Sequence, residues 1–183
     1  TYWYGAWGSN PETAHAAVII TVSIPASPEP TPTLWNGTVA LTKGETFSFV
    51  PSNNASATYT INRTTDLGAL AFAAQAGNFT FSASDAWYAS FGSFLLEDVA
   101  GIANEDWTQE NARSWSIFIN GAAAPAGLGA NTLADGDRLV FYYCPSDPVT
   151  YAPLIDRAGY VVTITVAIPA PESGGGGDGG GDS

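Results

Sequence analysis

A strand-like run with strict apolar/polar alternation is written twice in this chain, and that duplication limits its architecture more than any other feature. Ala16-Ala-Val-Ile-Ile-Thr-Val-Ser-Ile-Pro-Ala26 reappears as Tyr160-Val-Val-Thr-Ile-Thr-Val-Ala-Ile-Pro-Ala170, with seven of the eleven paired positions identical. In the first copy Val18, Ile20, Val22 and Ile24 share one face, and Thr21 and Ser23 share the other. Val162, Ile164, Val166 and Ile168 keep the same register in the second. A period of two marks a half-buried strand, and the proline that stops each run cannot donate to a ladder. The aromatic run Thr1-Tyr-Trp-Tyr-Gly5 likewise mirrors Val140-Phe-Tyr-Tyr-Cys144, the loops between run and strand differing by five residues. Residues 1–26 therefore read as the closing strands of a module whose whole copy follows. Tandem arrays, and polymers that pass strands between neighbours, leave such an offset.

Between the copies, Ala26-Ser-Pro-Glu-Pro-Thr-Pro-Thr33 favours an extended polyproline II spacer with roughly 25 Å of reach. A compact module then begins at Leu34. Turn signals at Trp35-Asn-Gly37 and Lys43-Gly44 flank Thr38–Thr42 and precede Thr46–Val50, which predicts a hairpin. Tyr59–Thr65, Phe79–Phe81, Trp87–Tyr88, Phe94–Leu96, Ser114–Ile119 and Arg138–Tyr143 are further strand candidates, with turns at Asn120-Gly121 and Asp135-Gly-Asp137. The alanine-rich stretch Leu67–Ala76 is the one expected helix, capped by Thr65 or Asp66 and ended by Gly77, with Leu67, Leu70, Ala71 and Ala74 on a shared face. After Glu172 the chain is a Gly/Asp tail that reads as a flexible linker.

In 183 residues, 45% apolar with 20 Gly and 12 Pro, these elements fit one β-rich α+β domain of about one helix with appended segments. Five basic residues against 17 acidic ones give a net charge of −12, which repels phosphate backbones and anionic lipid, so nucleic acid is not an expected partner. No run approaches the ~20 apolar residues that span a bilayer, so no membrane span is expected. The opening Thr1-Tyr2-Trp3 carries neither a methionine nor a leader pattern, and reads as a processed or excised start. Cys144, the only cysteine, excludes an intrachain disulfide; it reads as a small apolar residue after a strand, with an intermolecular disulfide as the competing use.

Catalytic constellations are thin. His15 is the only histidine and lies outside the module, which leaves a Ser-His-Asp relay without its base. Carboxylate pairs occur at Glu97/Asp98, Glu105/Asp106 and Asp135/Asp137. The first would point to opposite faces of a strand, and the last matches tight-turn chemistry. No spacing resembles a calcium loop, and no glycine-rich turn opens a helix for phosphate, so neither a metal nor a cofactor is expected. Trp87, Tyr88, Phe91, Trp107 and Trp115 read first as core; Trp87 and Trp107 are the candidates for stacking on a ligand. Asn36, Asn54, Asn62 and Asn78 each head an Asn-x-Ser/Thr acceptor, so covalent glycans are expected partners on an exposed face.

Several stretches in combination carry a family resemblance: Trp35-Asn-Gly-Thr-Val39, Tyr59–Thr65 leading into Leu67-Gly-Ala-Leu70, Ala100–Glu105, Trp115–Gly121, and Leu133–Asp137 before Phe141-Tyr-Tyr143. Across about 110 residues from Leu34 to Tyr143 the chain resembles the transcobalamin C-terminal-like domain of unknown function of archaeal and bacterial surface proteins, especially those of methanogens. The resemblance implies a β-grasp-like fold, one helix across a small mixed sheet, and extracellular display in repeats. It implies no catalysis, and no cobalamin-contacting motif maps onto these residues. The expected function is thus a non-enzymatic extracellular structural subunit, joining copies of itself into an archaeal surface filament, sheath or layer by strand donation. The alternative is a glycan- or corrinoid-binding module of a tandem-repeat adhesin.

Overall fold

A computed structural model describes residues 30–170. The expected assembly strand with Val18, Ile20, Val22 and Ile24, together with His15 and the Gly/Asp tail, lies outside the described residues. The chain divides between Pro30 and Thr31, and the module from Thr31 onward is described below.

The module is α+β and strand-rich. Its main sheet has five strands in the order β1 (Thr33–Ala40), β10 (Tyr160–Ala167), β9 (Arg138–Pro145), β7 (Arg113–Ile119) and β8 (Ala122–Ala123). β1 runs parallel to β10, and the other pairings are antiparallel. Helix α1 (Asp66–Gly77) packs against β1 and β10. Two smaller sheets complete the core: β2 (Thr46–Phe49) with β3 (Tyr59–Asn62), and β4 (Phe81–Ser84), β5 (Leu95–Val99) and β6 (Ile102–Ala103). A four-residue helix α2 (Tyr88–Phe91) links β4 to β5.

The period-two reading of the C-terminal run is the physics of β10. Val162, Ile164 and Val166 are fully buried, and they meet Leu139 and Phe141 of β9 and Leu67 and Leu70 of α1 in one core. Each such side chain contributes about 1.5–3 kcal/mol on burial. Helix α1 starts where Thr65 Oγ1 accepts the Gly68 amide at 3.2 Å. Its end departs from expectation: Gly77 is the last helical residue, and Asn78, at φ 51°, takes the left-handed cap. Gly77 serves close approach instead, because a Cβ there would sit 2.4 Å from the Trp35 ring. Ala73 rather than Ala71 joins the fully buried face.

Two local expectations are corrected. The Lys43-Gly44 turn exists, but it does not join a hairpin: β2 pairs with β3, and β1 pairs with β10 across the whole module. Trp87-Tyr88 is no strand; Tyr88 begins α2, which Gly92 ends at φ 63°. No helix among the described residues is long and apolar enough to cross a membrane.

Candidate functional site

Two surface features stand out on this frame: a cleft beside α2 and the outer edge of β1. The cleft begins with the short turn of α2, which sorts its aromatics. Tyr88 points inward, its ring 4.4 Å from Tyr59 and 4.8 Å from Phe94. Trp87 and Phe91, one helical turn apart, point outward with rings 6.3 Å apart at 75°. Trp87 is 47% exposed and Phe91 72%, so the expectation that they are core is corrected. Trp115, by contrast, is buried in that core and donates its indole N–H to the Ile102 carbonyl at 2.7 Å. The opposite wall is Ala124–Gly127, and the space between is about 500 Å³. That volume lies within the usual range for small-molecule sites of about 300–1,000 Å³.

Both walls are held by buried or shared polar groups. Asp85, just before Trp87, accepts from Asn53, Asn54 and the Tyr59 hydroxyl at 2.8–3.1 Å. The Asn53 bond foremost holds its carboxyl below the usual range. On the other side Asp66, fully buried at the start of α1, accepts the amides of Leu67 at 3.0 Å and Gly129 at 2.8 Å and the Asn131 amide group at 2.7 Å. Asn131 also donates to the carbonyls of Ala126 and Gly127, so one carboxylate fixes the cleft wall. Burial pushes the Asp66 carboxyl up to about 6 despite those donors. From sequence Asp66 was legible only as a cap, since its partners lie more than sixty residues away. The small-residue run Ala122–Gly129 was the available sign of a closely packed wall.

Trp107 lines neither this cleft nor the smaller recess that adjoins it; it stands 88% exposed in a turn whose Asp106 accepts the Thr108 amide and hydroxyl. The paired carboxylates serve backbone amides or neighbouring polar side chains. Glu97 accepts from Ser52, Asp98 from Gly101, Glu105 from Arg113, Asp135 from Ile168 and Asp137 from Ala134. Among the described residues no three His, Cys, Asp or Glu side chains gather at metal-binding distance. Cys144 is fully buried inside β9 rather than after it, and burial raises its thiol, so it offers no surface for an intermolecular disulfide.

The four Asn-x-Ser/Thr asparagines separate by environment. Asn36 on β1, Asn62 at the end of β3 and Asn78 at the helix cap are exposed. Asn54 is half-buried, donating to Asp85 and accepting from Ser56.

The second feature is an unguarded strand edge. Among the described residues no strand pairs with the outer side of β1. Leu41 donates to the Ala167 carbonyl at 2.8 Å, so alternation turns the backbone of Gly37 and Val39 toward β10 and that of Asn36, Thr38 and Ala40 outward.

Residues 72–144, from the middle of α1 to β9, match the family model of a domain of unknown function, DUF4430. That family is associated with transcobalamin-like domains, which agrees with the resemblance over this stretch. No curated protein and no solved structure matches the chain.

Proposed function

We propose that the chain is a non-enzymatic structural subunit of an extracellular archaeal surface filament, sheath or layer, in which residues 16–24 of one copy complete the sheet of another. One observation carries the reading. The C-terminal pair whose sequence residues 1–26 repeat is β9 with β10, the central strands of the five-stranded sheet, each hydrogen-bonded on both sides. A strand of this pattern, apolar on one face, needs a sheet to pair with, and within the module β10 already fills the equivalent place. A neighbouring copy supplies the partner. The exposed acceptors Asn62 and Asn78, both off β1, and the charge of −12 suit a secreted surface. Deleting residues 1–26 should abolish polymers seen by negative-stain microscopy; polymers of unchanged length and abundance would sink the reading.

The cleft favours a second reading, a module that binds a glycan or a corrinoid. Its support is the pair of exposed rings facing a fixed, small-residue wall, a surface on which a flat apolar ligand face can stack. Calorimetry of the full chain with cobalamin and with neutral oligosaccharides tests it: Trp87→Ala should remove any binding heat without lowering the melting temperature.

A further inference from the structure

The duplicated strand fits a specific acceptor, and we infer that residues 16–24 of a second copy dock on the outer edge of β1. This step rests on the strand-donation reading and adds the place of docking. β1 presents eight residues, Thr33-Leu-Trp-Asn-Gly-Thr-Val-Ala40, without a single charge. Proteins that leave a strand edge in water usually guard it with charge, proline or brevity, because its free amides and carbonyls recruit another strand. The only irregularity here is a register shift between Thr33 and Trp35, at the very start. Beyond it Asn36, Thr38 and Ala40 each present one backbone donor and one acceptor to the open side.

The two faces of β1 match the two faces of the donated strand. On the side away from α1 stand the exposed side chains of Asn36, Thr38 and Ala40, suited to Thr21 and Ser23. On the helix side Trp35 lies against Gly77 of α1 and remains half-buried, as does Phe72 of the same helix. Val18, Ile20, Val22 and Ile24 would extend that apolar shelf by one strand. β-Strand addition works in this way: backbone bonds supply cohesion, and the alternate side chains set register. The proline-rich sequence between strand and acceptor favours a stiff, extended form of about 3.1 Å per residue over the tight turn of a hairpin, which argues for a partner in another copy.

The test uses full-length chains. One preparation carries Thr38→Cys or Asn36→Cys and a second carries Thr21→Cys or Ser23→Cys, and each pairing is mixed under mild oxidation. The native Cys144 is buried and silent. At least one of the four pairings should give a disulfide dimer on a non-reducing gel, since side chains on opposed strand positions place their Cβ atoms about 4.5–5.5 Å apart. A chain carrying both cysteines in that register should give a ladder. In a separate arm Thr38→Pro removes an outward amide and none bonded to β10, so the monomer's melting temperature should hold while polymer yield falls at least tenfold. No dimer in any pairing, or a double-cysteine chain that closes only on itself, overturns the inference, as do full polymers from the folded Thr38→Pro chain. Polymers that need residues 1–26 but tolerate Thr38→Pro would leave strand donation standing and move its acceptor off β1; polymers formed without residues 1–26 would remove both.

Discussion

The two edges of the five-stranded sheet are treated in opposite ways. On the β7 side every outward position is engaged. Ile119 pairs with Ala122 of β8, and the Ile117 carbonyl accepts from Ala124 at 2.8 Å. The Trp115 amide donates to Asn104 Oδ1 at 2.9 Å, and the Arg113 amide and carbonyl are both taken up by Glu105. A two-residue strand and two polar side chains thus seal that edge. On the β1 side eight uncharged residues are paired to β10 alone, and nothing among the described residues pairs with their outer side. The difference teaches that a free edge is not a general feature of this small sheet: one edge is sealed with local chain, and the other has no strand paired to it among the described residues.

If the edges differ in function rather than in contribution to the core, the centre must carry the stability. Phe141, fully buried in the middle of β9 between Val162 of β10 and Ile117 of β7, is the place to ask. Phe141→Ala should cost about 3–5 kcal/mol in urea denaturation, from lost burial plus the cavity left behind. A cost below 1 kcal/mol would mean the sheet is held from its edges, and the comparison would collapse.

The sealed edge should break next. Asn104 is half-buried, accepting from Trp115 and donating to the Leu96 carbonyl at 2.7 Å, so it ties β7 to β5. Asn104→Ala leaves both backbone groups without that partner and should cost about 1–3 kcal/mol. It should also give the monomer a second sticky edge, visible as irregular aggregates in place of ordered polymers. Unchanged stability and unchanged assembly together would show that Asn104 seals nothing.

How much of this was legible beforehand follows from the range of the interactions. β10 was readable because its signal is local, one face of Val162, Ile164 and Val166 at period two. The helix is readable from alanine and its Thr65 cap, while its end is not, because Gly77 answers to Trp35, forty-two residues upstream. The partner of β1 was invisible. A turn at Lys43-Gly44 suggested a neighbour a few residues away, whereas the real one lies at the other end of the module. The cleft is half-readable: Trp87 stands out in the sequence as an aromatic, but only the Asp66–Asn131 contact, sixty-five residues apart, explains why its opposite wall stays in place.

That carboxylate gives a smaller and pH-dependent handle on the cleft wall. Asp66 sits near a carboxyl value of about 6 in the fold against 3.8 for the free group, so the folded state holds its proton more tightly than the unfolded one. Stability from this group therefore rises as pH falls through 6 and levels off near 4; the cost of the buried charge is fully present only above 6. Urea melts should show a gain of about 1 kcal/mol on going from pH 7 to pH 5, and Asp66→Asn should flatten it. Below about pH 4 the trend reverses, because Asp85, Asp106 and Asp147 are held low by hydrogen bonds and lose that contribution on protonation. A slope of the opposite sign between pH 7 and 5, unaltered by the substitution, would show that the loop bearing Gly129 and Asn131 does not depend on this charge.

The smallest effect on the monomer should be the largest on the assembly. Thr38 is exposed, and its outward backbone groups bond nothing among the described residues. Thr38→Lys should change monomer stability by no more than about 0.5 kcal/mol, as surface substitutions do. A lysine on an edge strand opposes the approach of a further strand, because its charge must be desolvated against the incoming chain. Polymer yield, read by sedimentation, should therefore fall steeply with Thr38→Lys and recover in part with the uncharged Thr38→Gln. The same lysine placed on β8, at Ala123 of the sealed edge, should leave assembly unchanged. Equal losses from both edges would mean that added charge, not edge geometry, controls assembly, and the contrast between β1 and β8 would have no functional content.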